Sequence, residues 1–255
     1  MRIISIANHK GGTAKTTTAR TLGDYMAMQG YKTLLIDLDP QAALTMACGF
    51  REAVYPNMVD VIGGAQAGYI PIKEIIRKVK PNLYLAPANL NLSGCELGIT
   101  SRIGREYIVK RALEGLDYDL AIIDNPPSVS LLTINGLAAS EGVLIPAQLT
   151  PLDVHGVMQF IKLVDGIRAG LGIDLEIIGI LPTFYDGRLK LHQQAEKALK
   201  RAKLPLLDVA IGRTVKVATA AINGQSILTS DPTNPQAGNY NELGKVIEKW
   251  LKIKI

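Results

Sequence analysis

Three short segments of this 255-residue chain carry side chains whose types and spacing suit phosphate chemistry. The first is Asn8-His9-Lys10-Gly11-Gly12-Thr13-Ala14-Lys15-Thr16-Thr17, the second Asp37-Leu38-Asp39-Pro40-Gln41, and the third Asp124-Asn125-Pro126-Pro127-Ser128. A triphosphate is a dense anion, and holding it takes many donors converging on a small volume. Gly11 and Gly12 have no Cβ, so the backbone from Lys10 through Thr13 and Ala14 can come close and turn its N–H groups inward. A helix beginning near Lys15 adds the partial positive charge of its N-terminus. Lys15 is then placed to bring an ammonium to the β- and γ-phosphates, Thr16 to offer its hydroxyl to Mg²⁺, and Thr17 to donate to the α-phosphate.

The elements around these segments are the ones such a site needs. Ile3-Ile4-Ser5-Ile6-Ala7 reads as a first strand, and Thr18 to Met28 as the helix after the loop. Strand, glycine turn, lysine, hydroxyl and helix make the P-loop arrangement. The near-continuous apolar runs Thr33 to Leu38 and Leu120 to Ile123 read as strands buried on both faces, as in a parallel sheet. Each ends in a carboxylate, Asp37 with Asp39 and then Asp124, at the strand end where open α/β sheets bind ligands. Further along, strands are expected at 2–8, 32–38, 82–86, 119–124, 142–147 and 176–183, with a shorter one near 206–210. Helices are expected at 15–29, 71–79, 101–116, 129–139, 153–170, 189–202 and 238–252, and 48–70 is the least regular stretch, either a variable loop or short helices. The alternation predicts an α/β fold: a P-loop NTPase with a mostly parallel, twisted sheet of about seven strands and helices on both faces, built as one domain over 1–255.

The loop departs from the common pattern G-x-x-x-x-G-K-[ST], with His9 at the first glycine, Ala14 at the second and an early lysine, Lys10. The form K-G-G-x-G-K-[ST]-T resembles the deviant Walker A motif of the ParA/MinD group of ATPases. Asp37 to Gln41 resembles that group's D-x-D-P-Q segment, and Asp124 to Pro127 its D-x-P-P segment. Leu181-Pro182-Thr183-Phe184-Tyr185-Asp186-Gly187-Arg188 and Ile211-Gly212-Arg213-Thr214-Val215-Lys216 resemble two further ParA segments. The likeness covers roughly 1–245 and points to a short ParA without an N-terminal DNA-reading domain. It implies that Lys10 crosses a dimer interface to the partner's phosphates, that Asp39 orients the attacking water, and that Asp37 lies near the metal and helps hold the loop. It implies that Asp124 holds Mg²⁺ through a water beside Thr16, and that the segments containing Phe184 and Arg213 flank the adenine. It also implies DNA contacts without sequence preference by Arg188 and Lys216, to which the basic run adds Lys190, an ATP-bound homodimer, a ParB-like activator, and a cytoplasmic, nucleoid-associated protein. An added methyl at Ala14 costs little at negative φ and more at positive φ.

The charge distribution agrees with a polyanion partner. The net charge is +5, but residues 188–216 hold eight basic side chains against Glu196 and Asp208, a local +6. Clustered cations are the footprint of phosphate-backbone binding, and with aromatics at only 5% any such binding should be salt-sensitive and sequence-independent. Cys48 and Cys95, and His9, His155 and His192, lack metal-ligand spacing, which argues against zinc. No apolar run reaches the roughly 18 residues of a membrane span, and the first strand begins too early for a signal peptide. The end of the chain, with Lys249, Trp250, Leu251, Lys252, Ile253, Lys254 and Ile255, admits two readings. It is either an interfacial amphipathic tail of the MinD type or, as favoured by the spacing of Val246, Ile247, Trp250 and Leu251, the end of a helix packed on the core.

Overall fold

In the computed structural model, which describes residues 1–50, 54–63 and 70–253, seven strands form one sheet. In chain order the elements are β1 (Arg2–Ile6), α1 (Lys15–Met28), β2 (Thr33–Asp37), α2 (Ala43–Ala47), α3 (Met58–Ile62), α4 (Ile72–Ile75), β3 (Arg77–Lys80), β4 (Leu83–Ala86), α5 (Leu92–Ile99), α6 (Ile108–Leu113), β5 (Leu120–Asp124), α7 (Leu131–Ala139), β6 (Gly142–Gln148), α8 (Pro151–Leu171), β7 (Glu176–Thr183), α9 (Lys190–Arg201), α10 (Val215–Ile222), α11 (Ile227–Ser230) and α12 (Pro235–Ile253). The strand order is β3-β4-β2-β5-β1-β6-β7, parallel throughout except for β3 against β4.

Alternate side chains of the central strands enter two separate cores, as strand geometry requires. Ile4, Ile6, Leu35 and Ile122 pack with Leu22 and Met26 of α1 and Leu243 and Ile247 of α12. Leu34, Ile36, Ala121 and Ile123 pack on the other face with Ile99, Val109 and Leu132. A third cluster, with Val143, Ile145, Phe160 and Leu199, joins β6 to α8 and α9. The sheet therefore has helices on both faces, and β1, β2 and β5 lie side by side with their acidic or glycine-rich ends together. Asp37 and Asp124 are direct partners in the β2–β5 register, and Ile6 pairs with Asp124 across β1–β5.

Several expected elements differ from those observed. The helix expected over 71–79 stops at Ile75, because Ile76 turns extended (φ −65°, ψ 132°) and Arg77–Lys80 pairs antiparallel with β4 as a lysine-bearing edge strand. The seventh strand is thus β3. The segment near 206–210 forms only two isolated bridges to β7, Ile180 with Leu206 and Thr183 with Ile211, beside Pro205, which has no N–H to donate. The helix expected over 101–116 is a 3₁₀ turn at Arg105–Tyr107 followed by α6, bracketed by Gly104 and Gly115 at positive φ. Helix α3 falls in the 48–70 stretch, where short helices were one of the two readings; α2, α5, α10 and α11 were not expected, and the glycines of α5 and the break at Asn223 and Gly224 hide the last three. Part of the 48–70 stretch, and Lys254 and Ile255, lie outside the described residues. Leu243, Ile247, Trp250 and Leu251 are buried, and the Trp250 indole donates to Glu176 Oε2 at 3.0 Å.

Candidate active site

The loop from Asn8 to Lys15 is held open by bonds on its outer side. Asn8 Nδ2 donates to Pro146 O at 2.8 Å, while Asn8 Oδ1 accepts the Lys10 N–H at 3.1 Å. Gln148 Nε2 donates to Gly12 O at 3.0 Å, and the Thr183 hydroxyl to Thr13 O at 3.1 Å. A carbonyl and the following N–H point opposite ways across a planar trans peptide. Tying the Gly12 and Thr13 carbonyls outward therefore turns the Thr13 and Ala14 N–H groups into the loop. Gly12 sits at φ +70°, and Gly11 passes 3.9 Å (as a notional Cβ) from Pro127 of the third segment.

Lys15 is nearly buried at 7% exposure, and its ammonium donates to Lys10 O at 2.9 Å. Burial lowers its pKa, while Asp124 and Asp39 act in the opposite direction. Two of its three donors are left for an anion. Thr16 lies beside Asp124, whose carboxyl is 1% exposed and faces the Thr16 hydroxyl. Burial first, and then the Asp37 charge, push the Asp124 carboxyl well above the usual carboxylate range. A buried acid met by little more than one hydroxyl is costly, and a hydroxyl plus a carboxylate is an all-oxygen donor set of the kind a hard divalent cation takes. The residues thus fit Mg²⁺.

Asp37 is fully buried and differently engaged. Its Oδ2 accepts the Thr45 N–H at 2.8 Å and the Thr45 hydroxyl at 2.7 Å, and its Oδ1 accepts the Asp39 N–H at 3.1 Å. Burial nevertheless pushes it up to about 7. Its carboxylate is committed to shaping the 37–45 loop. Asp39, in turn, accepts the Gln41 N–H at 2.9 Å through Oδ1 and is 9% exposed. Asn125 pins the start of the third segment to β1. Its Nδ2 donates to Ser5 Oγ at 3.1 Å and to Ile6 O at 3.3 Å, and a side chain at Gly136 would come within 2.0 Å of its Oδ1.

Lys10, in this single chain, forms an ion pair with Asp153 in the first turn of α8. That carboxyl is 3% exposed and also accepts the Thr150 hydroxyl at 2.6 Å. Asp153, Thr45, Gln148 and Thr183 were missed in the sequence. The signal for Asp153 was Thr150-Pro151-Leu152-Asp153, a helix start directly after a buried strand.

Beside the loop lies a cavity of about 130 Å³ lined by Ala14, Thr17, Phe184, Ile211, Gly212 and Val217, among others. Its apolar walls and open end suit a flat base. Arg213 lies over the Phe184 ring at 5.4 Å, and Phe184 itself is at φ +50°. The Tyr185 N–H donates to Ile211 O at 3.0 Å, which brings the two expected base-flanking segments together. The same loops carry the basic residues outward: Arg188 before α9, Lys190 as its first residue, and Lys216 in the first turn of α10. Arg188 is paired with Asp186 at 2.8 Å.

Ala14 adopts φ 66° and ψ 29°, the left-handed conformation, and caps α1 without a side-chain bond. That conformation costs an alanine about 1–2 kcal/mol, offset in part by the about 0.4–1 kcal/mol of unfolded-state entropy that glycine would add. Ala14→Gly is therefore expected to raise stability by about 0.5–1 kcal/mol in urea unfolding of the free protein. A drop in stability would show that the methyl is accommodated without strain.

A family model described as an AAA domain matches residues 1–177. The sporulation initiation inhibitor protein Soj of Bacillus subtilis is 37% identical over 254 residues, covering 96% of this chain and 98% of Soj. The chromosome-partitioning ATPase Soj of Thermus thermophilus is 37% identical over 249 residues (97% and 95%), and the chromosome partitioning protein ParA of Myxococcus xanthus 34% over 252 (97% and 88%). Among solved structures, a cobyrinic acid a,c-diamide synthase from Mycobacterium smegmatis with bound ADP and magnesium superposes with a TM-score of 0.84 at 33% identity, covering 98% and 95% of the two chains. The septum site-determining protein MinD of Pyrococcus horikoshii, with Mg-ADP, has the same fold at TM-score 0.82 and 23% identity, covering 100% and 98%.

Proposed function

The chain belongs to the ParA family, and from that premise and the site geometry we infer that it is a partition ATPase that hydrolyses ATP with Mg²⁺. The observation that carries this is the meeting of three segments at the C-terminal ends of the central strands: an inward-turned loop with a nearly buried ammonium, a hydroxyl beside a buried carboxylate, and the Asp37–Asp39 loop. The catalytic unit is taken as one domain over 1–255.

In this reading the N–H groups of Gly11 to Thr16 and the Lys15 ammonium hold the β- and γ-phosphates. Thr17 donates to the α-phosphate, and the base lies between Ala14 and the Phe184–Arg213 pair. Thr16 and Asp124 are the residues that would hold Mg²⁺, which would supply neutralisation of phosphate charge. Asp37 stands behind them and fixes the loop that carries Asp39. Asp39 accepts a hydrogen bond from the attacking water and aligns it with the γ-phosphorus. Lys10 leaves Asp153 and reaches the phosphates held by a second copy, so ATP binding and dimerisation become one equilibrium. Two basic faces on one rigid dimer then bind a polyanion more tightly than one, through effective concentration. Hydrolysis, stimulated by a ParB-like partner, opens the dimer and releases DNA, for the segregation of a plasmid or chromosome. No described helix is long and apolar enough to cross a membrane, and Leu243, Ile247, Trp250 and Leu251 of α12 are spent on the core, which favours DNA over a membrane surface as the anionic partner.

The test is a salt titration of ATP-loaded protein on random-sequence duplex. Arg188, Lys190 and Lys216 from each of two copies predict a slope of log affinity on log salt of roughly −5, at about −0.9 per phosphate neutralised. A flat response, or no loss in the combined Arg188→Ala and Lys216→Ala variant, would remove the DNA reading.

A further inference from the structure

We propose that Asp186 is a built-in competitor for the phosphate contact of Arg188, and so sets how strongly the basic face holds a polyanion. The inference rests on the reading of that face as DNA-binding. The Arg188 side chain is 91% exposed, yet the Nε/Nη2 edge of its guanidinium is occupied. Nε donates to Asp186 Oδ1 at 3.0 Å and Nη2 to Oδ2 at 2.8 Å. A guanidinium recognises phosphate with the same two-pronged geometry. The carboxylate and a DNA phosphate approaching the Nε/Nη2 edge therefore need the same donors, and while Asp186 holds that edge a phosphate meets only the Nη1 side of a guanidinium whose charge is already compensated.

The competitor is built in because its loop is fixed. Asp186 Oδ1 also accepts the Arg188 N–H at 3.0 Å, and the Asp186 N–H donates to His192 Nδ1 at 2.9 Å. Tyr185 stacks on the His192 ring, with centroids 5.6 Å apart and planes 22° from parallel, and its hydroxyl donates to Glu196 Oε2 at 2.6 Å. Gln193 Nε2 closes on Gly187 O at 2.7 Å. Residues 185–188 are thereby fastened to the first two turns of α9, so the exposed arginine, and not the carboxylate, is the part free to swing.

The neighbouring cations are arranged differently. Among the described residues Lys190, Lys197 and Lys216 form no ion pair, whereas Lys200 is paired with Glu196. The Arg188 side chain and N–H hold the Asp186 carboxyl down at about 2, so it stays ionised wherever the protein is folded and working, and pH does not switch the competition. Free protein thus meets DNA with Arg188 closed on its own acid, and binding exchanges carboxylate for phosphate.

The experiment measures anisotropy of a labelled random-sequence duplex with ATP-loaded full-length protein across a salt series. Wild type is compared with Asp186→Asn, Arg188→Ala, the double variant and Asp208→Asn. Asp208 borders the same cleft as Tyr185, Glu196 and Lys200, and removing it takes away equal charge without freeing an arginine. Asp186→Asn is expected to tighten binding roughly three- to tenfold at moderate salt and to steepen the salt slope by about one. The double variant should bind as weakly as Arg188→Ala, and Asp208→Asn should gain less. Unchanged or weaker binding by Asp186→Asn, in protein with wild-type urea stability, would overturn the proposal: Asp186 would then hold Arg188 in its binding pose. A gain that survives in the Arg188→Ala background, or is matched by Asp208→Asn, would reduce the effect to bulk charge and equally overturn it. Absence of binding by wild type even at low salt would instead remove the DNA reading, and this inference with it.

Discussion

Asp39→Ala should lower ATP turnover by roughly 10²- to 10⁴-fold, the usual scale for losing a group that directs the attacking nucleophile, while ATP affinity stays within about threefold. The split follows from where Asp39 sits. Phosphate binding is assigned to backbone N–H groups and to Lys15; Asp39 hydrogen-bonds to none of these, and the Lys15 ammonium keeps the larger supporting charge, that of Asp124, when Asp39 is removed. The Asp39 carboxylate is aimed by its own loop: its N–H is tied to Asp37 Oδ1, its Oδ1 accepts from Gln41, and its carbonyl accepts the Ala42 N–H at 2.8 Å. That leaves Oδ2 to meet a water. An interaction made only as the water attacks lowers kcat and leaves substrate binding alone. Single-turnover hydrolysis together with equilibrium binding of a fluorescent ATP analogue separates the two. A variant that hydrolyses at the wild-type rate would take the role away from Asp39. One that loses ATP binding as much as turnover would make the residue a scaffold for the loop.

The same loop shows what was legible in the sequence. Glycines, lysine and threonines at fixed spacing, and acids ending apolar strands, are local signals, because each residue's neighbours in the chain are also its neighbours in space. β1, α1, β2 and β5 were readable for that reason, and the sheet brings their ends together as expected. What was not legible depends on long-range contact. Nothing near Asp37 in the sequence says that Thr45 will take both lone pairs of one oxygen, or that Thr183 and Gln148 will pull the loop carbonyls outward from β7 and β6. Asn125 had no account in the sequence because its reason is Ser5, 120 residues away, and the bare face of Gly136. At the sheet edges the local code is ambiguous. Arg77-Lys78-Val79-Lys80 fits a helix end or an alternating strand, and only the pairing with β4 decides. Leu206 to Ala210 has strand composition, but Pro205 and two isolated bridges leave it unpaired along most of its length.

Lys10→Ala should abolish ATP-dependent dimerisation while leaving monomeric ATP binding nearly intact. In the free chain the Lys10 ammonium is 47% exposed and rests on Asp153, so it lies at the rim of the cradle and not among the phosphate donors formed by Lys15 and the loop backbone. Its removal therefore takes little from ATP binding by one copy. In a closed dimer the same ammonium would be desolvated against the partner's nucleotide, and truncating one side of such a buried charge pair costs about 2–5 kcal/mol, or roughly 30- to several-thousand-fold in the dimer dissociation constant. The substitution also strands the Asp153 carboxyl, whose remaining partner is the hydroxyl of Thr150, the residue that caps α8. For this reason Lys10→Gln is the sharper variant: an amide can still donate to Asp153 and protect the fold, but it brings no charge to a phosphate. Analytical ultracentrifugation with a non-hydrolysable ATP analogue should find both variants monomeric at concentrations where the wild type is dimeric. If Lys10→Gln dimerises normally, the cation is not what joins nucleotide to pairing. If Lys10→Gln is monomeric and Asp153→Asn, which frees the ammonium, dimerises at lower protein concentration than the wild type, then Asp153 holds Lys10 back until ATP arrives.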